Sequence, residues 1–270
     1  LTAIAKFTKF VISGSERNAI PEKGAKFKVV KSNGEFLQKD GVDVECTADA
    51  NGTVYIPWLT KGVYNLVQTA GSNYHKWIDA TTEEGTFAVL ASDLVFSEKD
   101  TEILINKNFS TLTSEQRGHL VGLDTEHSEL IDEELPVSVK LLKTSSDTGI
   151  PLANAEFTLY KKTTGGKYSE VSTYYTDSEG KITISNLQYG TYRLRETQAP
   201  EGYLATEYDT GKEITDDDFL WQDKEFTIDE NHVVDDGGVL YFKDAKDSVA
   251  TTLTFKDSPI FGKIAINKSG

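Results

Sequence analysis

Basic residues, cysteine, methionine and long apolar runs are all scarce in this chain of 270 residues. Only 28 Lys and Arg stand against 43 Asp and Glu, so the formal net charge is −15. Because so acidic a chain repels phosphate backbones and anionic lipids, we expect no nucleic-acid partner and no binding to a membrane surface. No apolar run approaches the roughly 20 residues that a membrane-spanning helix needs, so no membrane span is expected.

The single cysteine, Cys46, excludes an internal disulfide and a cysteine-based zinc site. It lies in an alternating stretch and is predicted to be a small core residue rather than a nucleophile. The four histidines lack metal-ligand spacing, and no nucleophile elbow or phosphate-binding loop is present. We therefore expect no metal, no cofactor and no turnover of a substrate. The chain has no methionine and shows no signal peptide, so it is expected to be a piece of a longer protein.

Short alternating segments, separated by Gly, Asn, Asp and Ser turns, dominate what is present, and long amphipathic helical patterns are nearly absent. The hydrophobic fraction of 38% and the aromatic fraction of 10% are too high for a disordered acidic tail. The pattern predicts an all-β sandwich. The one helix that we predict covers residues 114–120.

An internal repeat divides the chain into two copies. Each matched residue of the first copy lies 128 positions before its partner, as Asp49 does before Asp177. The matched positions of the first copy are Asp49, Asn51, Gly52, Val54, Ile56, Leu59, Gly62, Tyr64 and Leu66. We predict tandem domains at residues 1–109 and 137–260, joined by a polar, acidic linker at residues 110–136. Residues 261–270 resemble the first strand of each copy, so they are either the opening of a further domain or a frayed tail.

Ionisable residues end the apolar faces of three predicted strands in the second copy. Side chains two positions apart on a strand share a face, and Lys143 shares its face with Val139 and Leu141. Glu196 and Asp257 end two other apolar faces in the same way. Burial of three unpaired charges would cost several kcal/mol each, so the three side chains are predicted to meet and neutralise one another.

Two interpretations of these three residues remain open at this point. One is a buried ion triad at the end of the sandwich. The other is covalent: burial favours neutral forms, so the Lys143 amine could attack the Asp257 carboxyl while Glu196 moves the protons. Loss of water would then leave an amide between the first and last strands of the domain.

Residues 192–203, YRLRETQAPEGY, fill every fixed position of the pattern Tyr-x-Leu-x-Glu-Thr-x-Ala-Pro-x-Gly-Tyr. This segment resembles the E-box of sortase-assembled pilins and related Gram-positive surface proteins. Residues 143–160 and 254–259 resemble the opening and closing segments of a collagen-adhesin B-type (Cna-B, SpaA-like), immunoglobulin-like domain. The resemblance implies that the fold is all-β, with tandem immunoglobulin-like β-sandwiches. The resemblance implies an autocatalytic isopeptide bond with Lys143 as nucleophile, Asp257 as electrophile and Glu196 as catalyst, the same residues that strand parity selects.

The first copy matches the same family only in part. Lys9 aligns with Lys143, but the position of the E-box glutamate is occupied by Gln68, which cannot shuttle protons. The predicted closing strand, residues 103–108, offers Asn108 or Asn106 as the electrophile. A Lys9–Asn108 bond is one hypothesis, and a first domain held by packing alone is the alternative.

The resemblance implies a structural surface protein of a Gram-positive bacterium, either a pilin subunit or the stalk of a cell-wall-anchored adhesin. Its expected location is extracellular, and its expected partners are other pilin subunits or neighbouring domains of the same protein. The expected function is mechanical, because a bond between first and last strands would let tension bypass the hydrogen-bond ladder. The alternative is an adhesin module that binds a host protein or glycan, for example through an insertion at residues 208–223.

Overall fold

The computed structural model describes residues 1–123, 128–206 and 223–262. The chain divides into two compact units, one formed by Leu1–Ser13 with Asn18–Glu134 and the other by Gly14–Arg17 with Leu135–Gly270. Strands dominate both units, which confirms the predicted all-β fold class. Among the residues described, no helix is long and apolar enough to cross a membrane.

The first unit contains two sheets. One is ordered β10-β1-β2, with β7 also paired to β1, and the other is ordered β6-β3-β8-β9. Phe7 and Phe27, one from each sheet, meet edge to face at 5.1 Å in the core between them. The strands are β1 (Ala3–Ser13), β2 (Asn18–Pro21), β3 (Lys26–Lys31), β4 (Gln38–Lys39), β5 (Val42–Asp43), β6 (Cys46–Thr47), β7 (Thr53–Leu59), β8 (Gly62–Ala70), β9 (Thr86–Val89) and β10 (Glu129–Asp132). The helices are α1 (Glu98–Asn106), α2 (Ser114–Arg117) and two 3₁₀ turns, Glu83–Gly85 and Ala91–Asp93.

The second unit repeats this arrangement with one sheet ordered β13-β12-β15-β17 and a larger sheet built around β11. In the larger sheet, β11 pairs in parallel with β20 and antiparallel with β14. Phe157 and Phe255, one from each sheet, meet at 4.8 Å in the core. The strands are β11 (Val137–Ser145), β12 (Glu156–Lys162), β13 (Tyr168–Tyr175), β14 (Lys181–Leu187), β15 (Gly190–Gln198), β16 (Tyr203–Ala205), β17 (Asp223–Ile228), β18 (Val233–Asp236), β19 (Val239–Phe242) and β20 (Thr252–Pro259).

The Asp-x-x-Gly turns of the two copies have the same structural role. Gly52 has a φ of 76° and Gly180 a φ of 70°, in the left-handed region that glycine tolerates. A Cβ on either residue would lie within 2.4 Å of a lysine carbonyl oxygen, that of Lys9 or Lys143. The same two lysines each donate their backbone N–H to the turn glycine at 2.7 Å. Each glycine thus brings the turn against the first strand of its unit, at Lys9 in the first unit and at Lys143 in the second.

The boundaries predicted for the first domain require correction. Residues 103–108, predicted as a closing strand, lie in α1 and the turn beyond it. The helix forms because the Ser97 side chain caps its first turn by accepting from the Asp100 N–H, and because Thr101 and Leu104 bury one face. The apolar run Ile103-Leu104-Ile105 suits a buried strand as well as a helix, so the local sequence does not separate the two.

The segment predicted as a linker, residues 110–136, also contains regular structure. Helix α2 covers part of the predicted helix at residues 114–120, and β10 (Glu129–Asp132) pairs in parallel with β1. The last strand of the first unit is therefore β10. Two other predicted features lie outside the described residues: the opening of a further domain from residue 263 onward, and the insertion at residues 208–223 up to residue 222.

Candidate functional site

The structure brings Lys143, Glu196 and Asp257 together in the core of the second unit. The three side chains come from β11, β15 and β20, and all three are 0% exposed. Lys143 Nζ donates to Glu196 Oε2 at 2.8 Å and also contacts Asp257 Oδ1. The Lys143 amine thus contacts both carboxyl groups at a site that solvent does not reach.

Strand pairing across two sheets places these groups. In the parallel pair β11–β20, Lys143 is opposite Phe255 and Ser145 is opposite Asp257, so the carboxyl lies one inward-facing position beyond the amine. In the other sheet, Glu196 of β15 is opposite Phe157 of β12. Lys143 Nζ lies 5.8 Å above the Phe157 ring. An aromatic ring therefore covers one side of the buried amine.

Other residues of the segment 192–203 hold the same strands in place. The Thr197 hydroxyl donates to Glu156 Oε1 on β12 at 2.6 Å, next to the strand position of Glu196. Tyr203 begins β16, which pairs with β20 and sets Ala205 opposite Asp257. The motif therefore supplies the glutamate and also the strand that neighbours the aspartate.

Burial controls the protonation of the two acids. Desolvation raises the pKa of Glu196 to about 8; the Lys143 ammonium opposes this shift and the Asp257 carboxylate adds to it. Burial also raises the pKa of Asp257, against the effect of the neighbouring ammonium. Glu196 is therefore largely protonated at neutral pH. In this form it can donate a proton to a neighbouring carboxyl oxygen.

The first unit contains a related cluster around Lys9. Lys9 Nζ donates to Glu22 Oε2 at 2.7 Å and lies 2.9 Å from Asp132 Oδ2. Lys9 and Asp132 are 0% exposed and Glu22 is 5% exposed. Gln68 Nε2 donates to Asp132 Oδ2 at 2.7 Å.

The structure corrects the predicted pairing of Lys9 with Asn108. Asn108 is an exposed residue just after α1, with a φ of 50°, whereas the Lys9 amine is fully buried beside Asp132. Asn106, the alternative electrophile, ends α1 and is exposed too. The error follows from the missed closing strand, since β10 takes the place that residues 103–108 were predicted to fill.

Sequence reasoning missed Asp132 and Glu22. Asp132 could have been found by the parity rule used for the second copy, because Leu130 and Asp132 are buried and alternate with exposed neighbours. Glu22 directly follows Pro21 at the end of β2, and no periodicity marks it as buried.

In the described part of the chain, no group of three or more His, Cys, Asp or Glu side chains could hold a metal ion.

Residues 137–225 match the model of the SpaA family, described as a prealbumin-like fold domain. The matched segment includes Lys143 and Glu196 and ends before Asp257. The match confirms, for residues 137–225, the SpaA-like resemblance that the sequence indicated. The description of this family names a fold rather than an enzymatic activity.

Three solved structures illustrate the fold comparison. The chain is similar to the Bacillus anthracis TIE protein at 18% identity and a TM-score of 0.44, covering 96% of this chain and 34% of that one. A streptococcal ancillary pilin gives 18% identity and a TM-score of 0.32, covering 96% and 63%. GBS52, the minor pilin of Streptococcus agalactiae, gives 15% identity and a TM-score of 0.32, covering 99% and 100%. The chain thus spans about a third of the TIE protein chain and under two thirds of the ancillary pilin. Among curated proteins, no significant match is found.

Proposed function

We propose that this chain is a structural module of a Gram-positive surface protein, a pilin subunit or an adhesin stalk, whose second unit cross-links itself through Lys143 and Asp257. The observation that carries the proposal is the fully buried contact of Lys143 with both Glu196 and Asp257. The family match over residues 137–225 supports the structural role. An extracellular, cell-wall-anchored location is part of the proposal, and its partners are other subunits or neighbouring domains.

The proposed reaction needs no reagent beyond the three side chains. The Lys143 ammonium passes one proton to the Asp257 carboxylate, which leaves a neutral amine beside a neutral carboxyl group. The amine nitrogen attacks Cγ of Asp257, and the new C–N bond forms as a C–O bond breaks. Glu196 gives its proton to the leaving hydroxyl and takes one from the nitrogen. One water is released, and Glu196 ends protonated as it began.

The mechanical consequence follows from strand order. Lys143 lies near the end of the first strand of the second unit, β11, and Asp257 lies on its last strand, β20. These strands are parallel neighbours, so a pull on the two ends of the unit shears their hydrogen-bond ladder. An amide between Lys143 and Asp257 would carry that load covalently. A module of this kind suits a fibre or stalk under tension.

The proposal is tested by the intact mass of the purified chain, followed by tryptic mapping. We expect the Lys143 and Asp257 peptides to be joined, with one water lost for that bond. Glu196→Gln should restore separate peptides, whereas Glu170→Gln, an exchange at an exposed position of β13, should leave them joined. Separate Lys143 and Asp257 peptides in the unaltered protein would reduce the triad to a buried ionic cluster and refute the proposed bond.

A further inference from the structure

We infer that the first unit forms its own isopeptide bond, between Lys9 and Asp132, with Glu22 as the catalytic group in place of an E-box glutamate. The inference rests on the proposed function for the type of chemistry, but the reacting residues are different ones. It replaces the Lys9–Asn108 pairing that the sequence suggested.

Strand register places the first pair of residues as it places the second. Strands β1 and β10 are parallel neighbours, as are β11 and β20. Asp132 is opposite Val11, two positions beyond Lys9, and Asp257 is opposite Ser145, two positions beyond Lys143. Lys9 Nζ reaches Asp132 Oδ2 at 2.9 Å with both side chains fully buried. The amine and the carboxyl carbon therefore have the geometry that the second unit shows.

Two residues of the first unit divide the work that Glu196 would do alone. Gln68, at the E-box position, donates its amide to Asp132 Oδ2 at 2.7 Å. Its own carbonyl oxygen accepts from the Ile78 N–H at 3.2 Å, which fixes the orientation of the amide. Gln68 can therefore polarise the carboxyl group and stabilise the oxyanion that forms on attack, but it cannot carry a proton.

Glu22, the residue that follows β2, supplies the missing proton carrier. Its Oε2 accepts from Lys9 Nζ at 2.7 Å, and its Oε1 accepts from the Ser72 N–H at 2.6 Å. Although burial raises the pKa of Glu22, the hydrogen bond and charge of Lys9 together with the hydrogen bonds from Ser72 lower it below its ordinary value, so Glu22 is ionised at neutral pH. Burial raises the pKa of Asp132 against the opposing charge of Lys9. The cluster thus holds a base beside the ammonium and a carboxyl group that burial shifts toward its neutral, electrophilic form.

The step balances with one water released. Glu22 takes a proton from the Lys9 ammonium, and the neutral nitrogen attacks Cγ of the protonated Asp132. The C–N bond forms, the nitrogen gives up one further proton to the departing hydroxyl, and water leaves. Glu22 ends protonated and returns its proton to solvent.

Two further observations fit a site built for this reaction. Asp132 Oδ1 is buried and has no hydrogen-bond partner among the described residues. Such an atom is costly to keep, and loss of a carboxyl oxygen as water would remove that cost. Gly71 leaves the space for both helpers, because a Cβ there would lie 2.2 Å from Gln68 Nε2 and 3.1 Å from Glu22 Oε1.

Mass spectrometry of the whole chain tests the inference separately from the proposed function. With both bonds formed, the chain should lack two waters, and tryptic mapping should join Lys9 to Asp132 and Lys143 to Asp257. Glu22→Gln should lose only the Lys9–Asp132 link, and Glu196→Gln only the other link. The matched control is Glu129→Gln, an exposed residue on β10, which should keep both.

The outcomes are distinguishable. Separate Lys9 and Asp132 peptides in the unaltered protein would overturn the inference whether or not the second unit is cross-linked, and this measurement needs no variant that might misfold. A link that survives Glu22→Gln would overturn the role of Glu22. Failure of the Lys143–Asp257 link alone would refute the proposed function and leave the first-unit bond standing.

Discussion

Glu196→Gln should destabilise the second unit by the whole contribution of its covalent bond while changing little else. Gln has nearly the shape of Glu and is neutral, as Glu196 largely is at neutral pH because of its raised pKa. The Lys143–Asp257 contact is retained, so the variant removes the catalyst rather than the ion pair. The loop closed by Lys143 and Asp257 spans 114 residues. The chain-entropy relation for a cross-link of that span gives roughly 5 kcal/mol.

Hydrogen exchange in a urea series, read peptide by peptide with mass spectrometry, measures the free energy of unfolding of each unit. With an m-value of roughly 2 kcal/mol/M, the unfolding midpoint of the second unit should fall by roughly 2 to 3 M. The first unit and the control Glu170→Gln should not change. If the Lys143–Asp257 link is lost but the second unit is weakened by less than about 1 kcal/mol, the chain-entropy argument is wrong for this protein.

Three other predictions concern the second unit and Cys46. Bond formation during refolding should slow as the pH rises through about 8, because Glu196 then loses the proton that the raised pKa holds on it below that value; a time course of intact mass measures the rate, and a rate independent of pH would contradict this role. Asp257→Asn should still cross-link, but with loss of ammonia in place of water, and a chain that loses neither would show that the carboxyl form is essential. Cys46 should resist alkylation in the folded chain and react in urea, because burial raises its pKa to about 12; rapid alkylation without urea would refute its assignment to the core.

A fifth prediction concerns the left-handed backbone at Asn186, which has a φ of 62°. Asn tolerates this conformation better than residues without a short polar side chain, so Asn186→Ala should destabilise the second unit by about 1 kcal/mol. Asn186→Gly is the control and should have a smaller effect. Urea unfolding measures both, and equal stabilities for the Ala and Gly variants would contradict the reasoning.

Strand alternation and turn residues, read from the sequence, were enough to predict the all-β fold, the repeat and the meeting of Lys143, Glu196 and Asp257. They sufficed because the period of a strand is two, so a charged residue that continues an apolar series must enter the core with it. Each of these three residues ends such a series within its own strand. Local pattern therefore determined which side chains point inward in the second unit.

Tertiary structure decided the first unit. Residues 103–108 open with three consecutive apolar residues, which suit a strand or a helix equally, but the cap at Ser97 and the buried face of α1 make most of them helical. The strand that carries Asp132 is only four residues long and is defined by its pairing with β1, more than a hundred residues earlier. Glu22 reaches Lys9 because β2 folds back on β1. Such contacts depend on which strands become neighbours, and that choice is made by packing over the whole unit rather than by the pattern within any one segment.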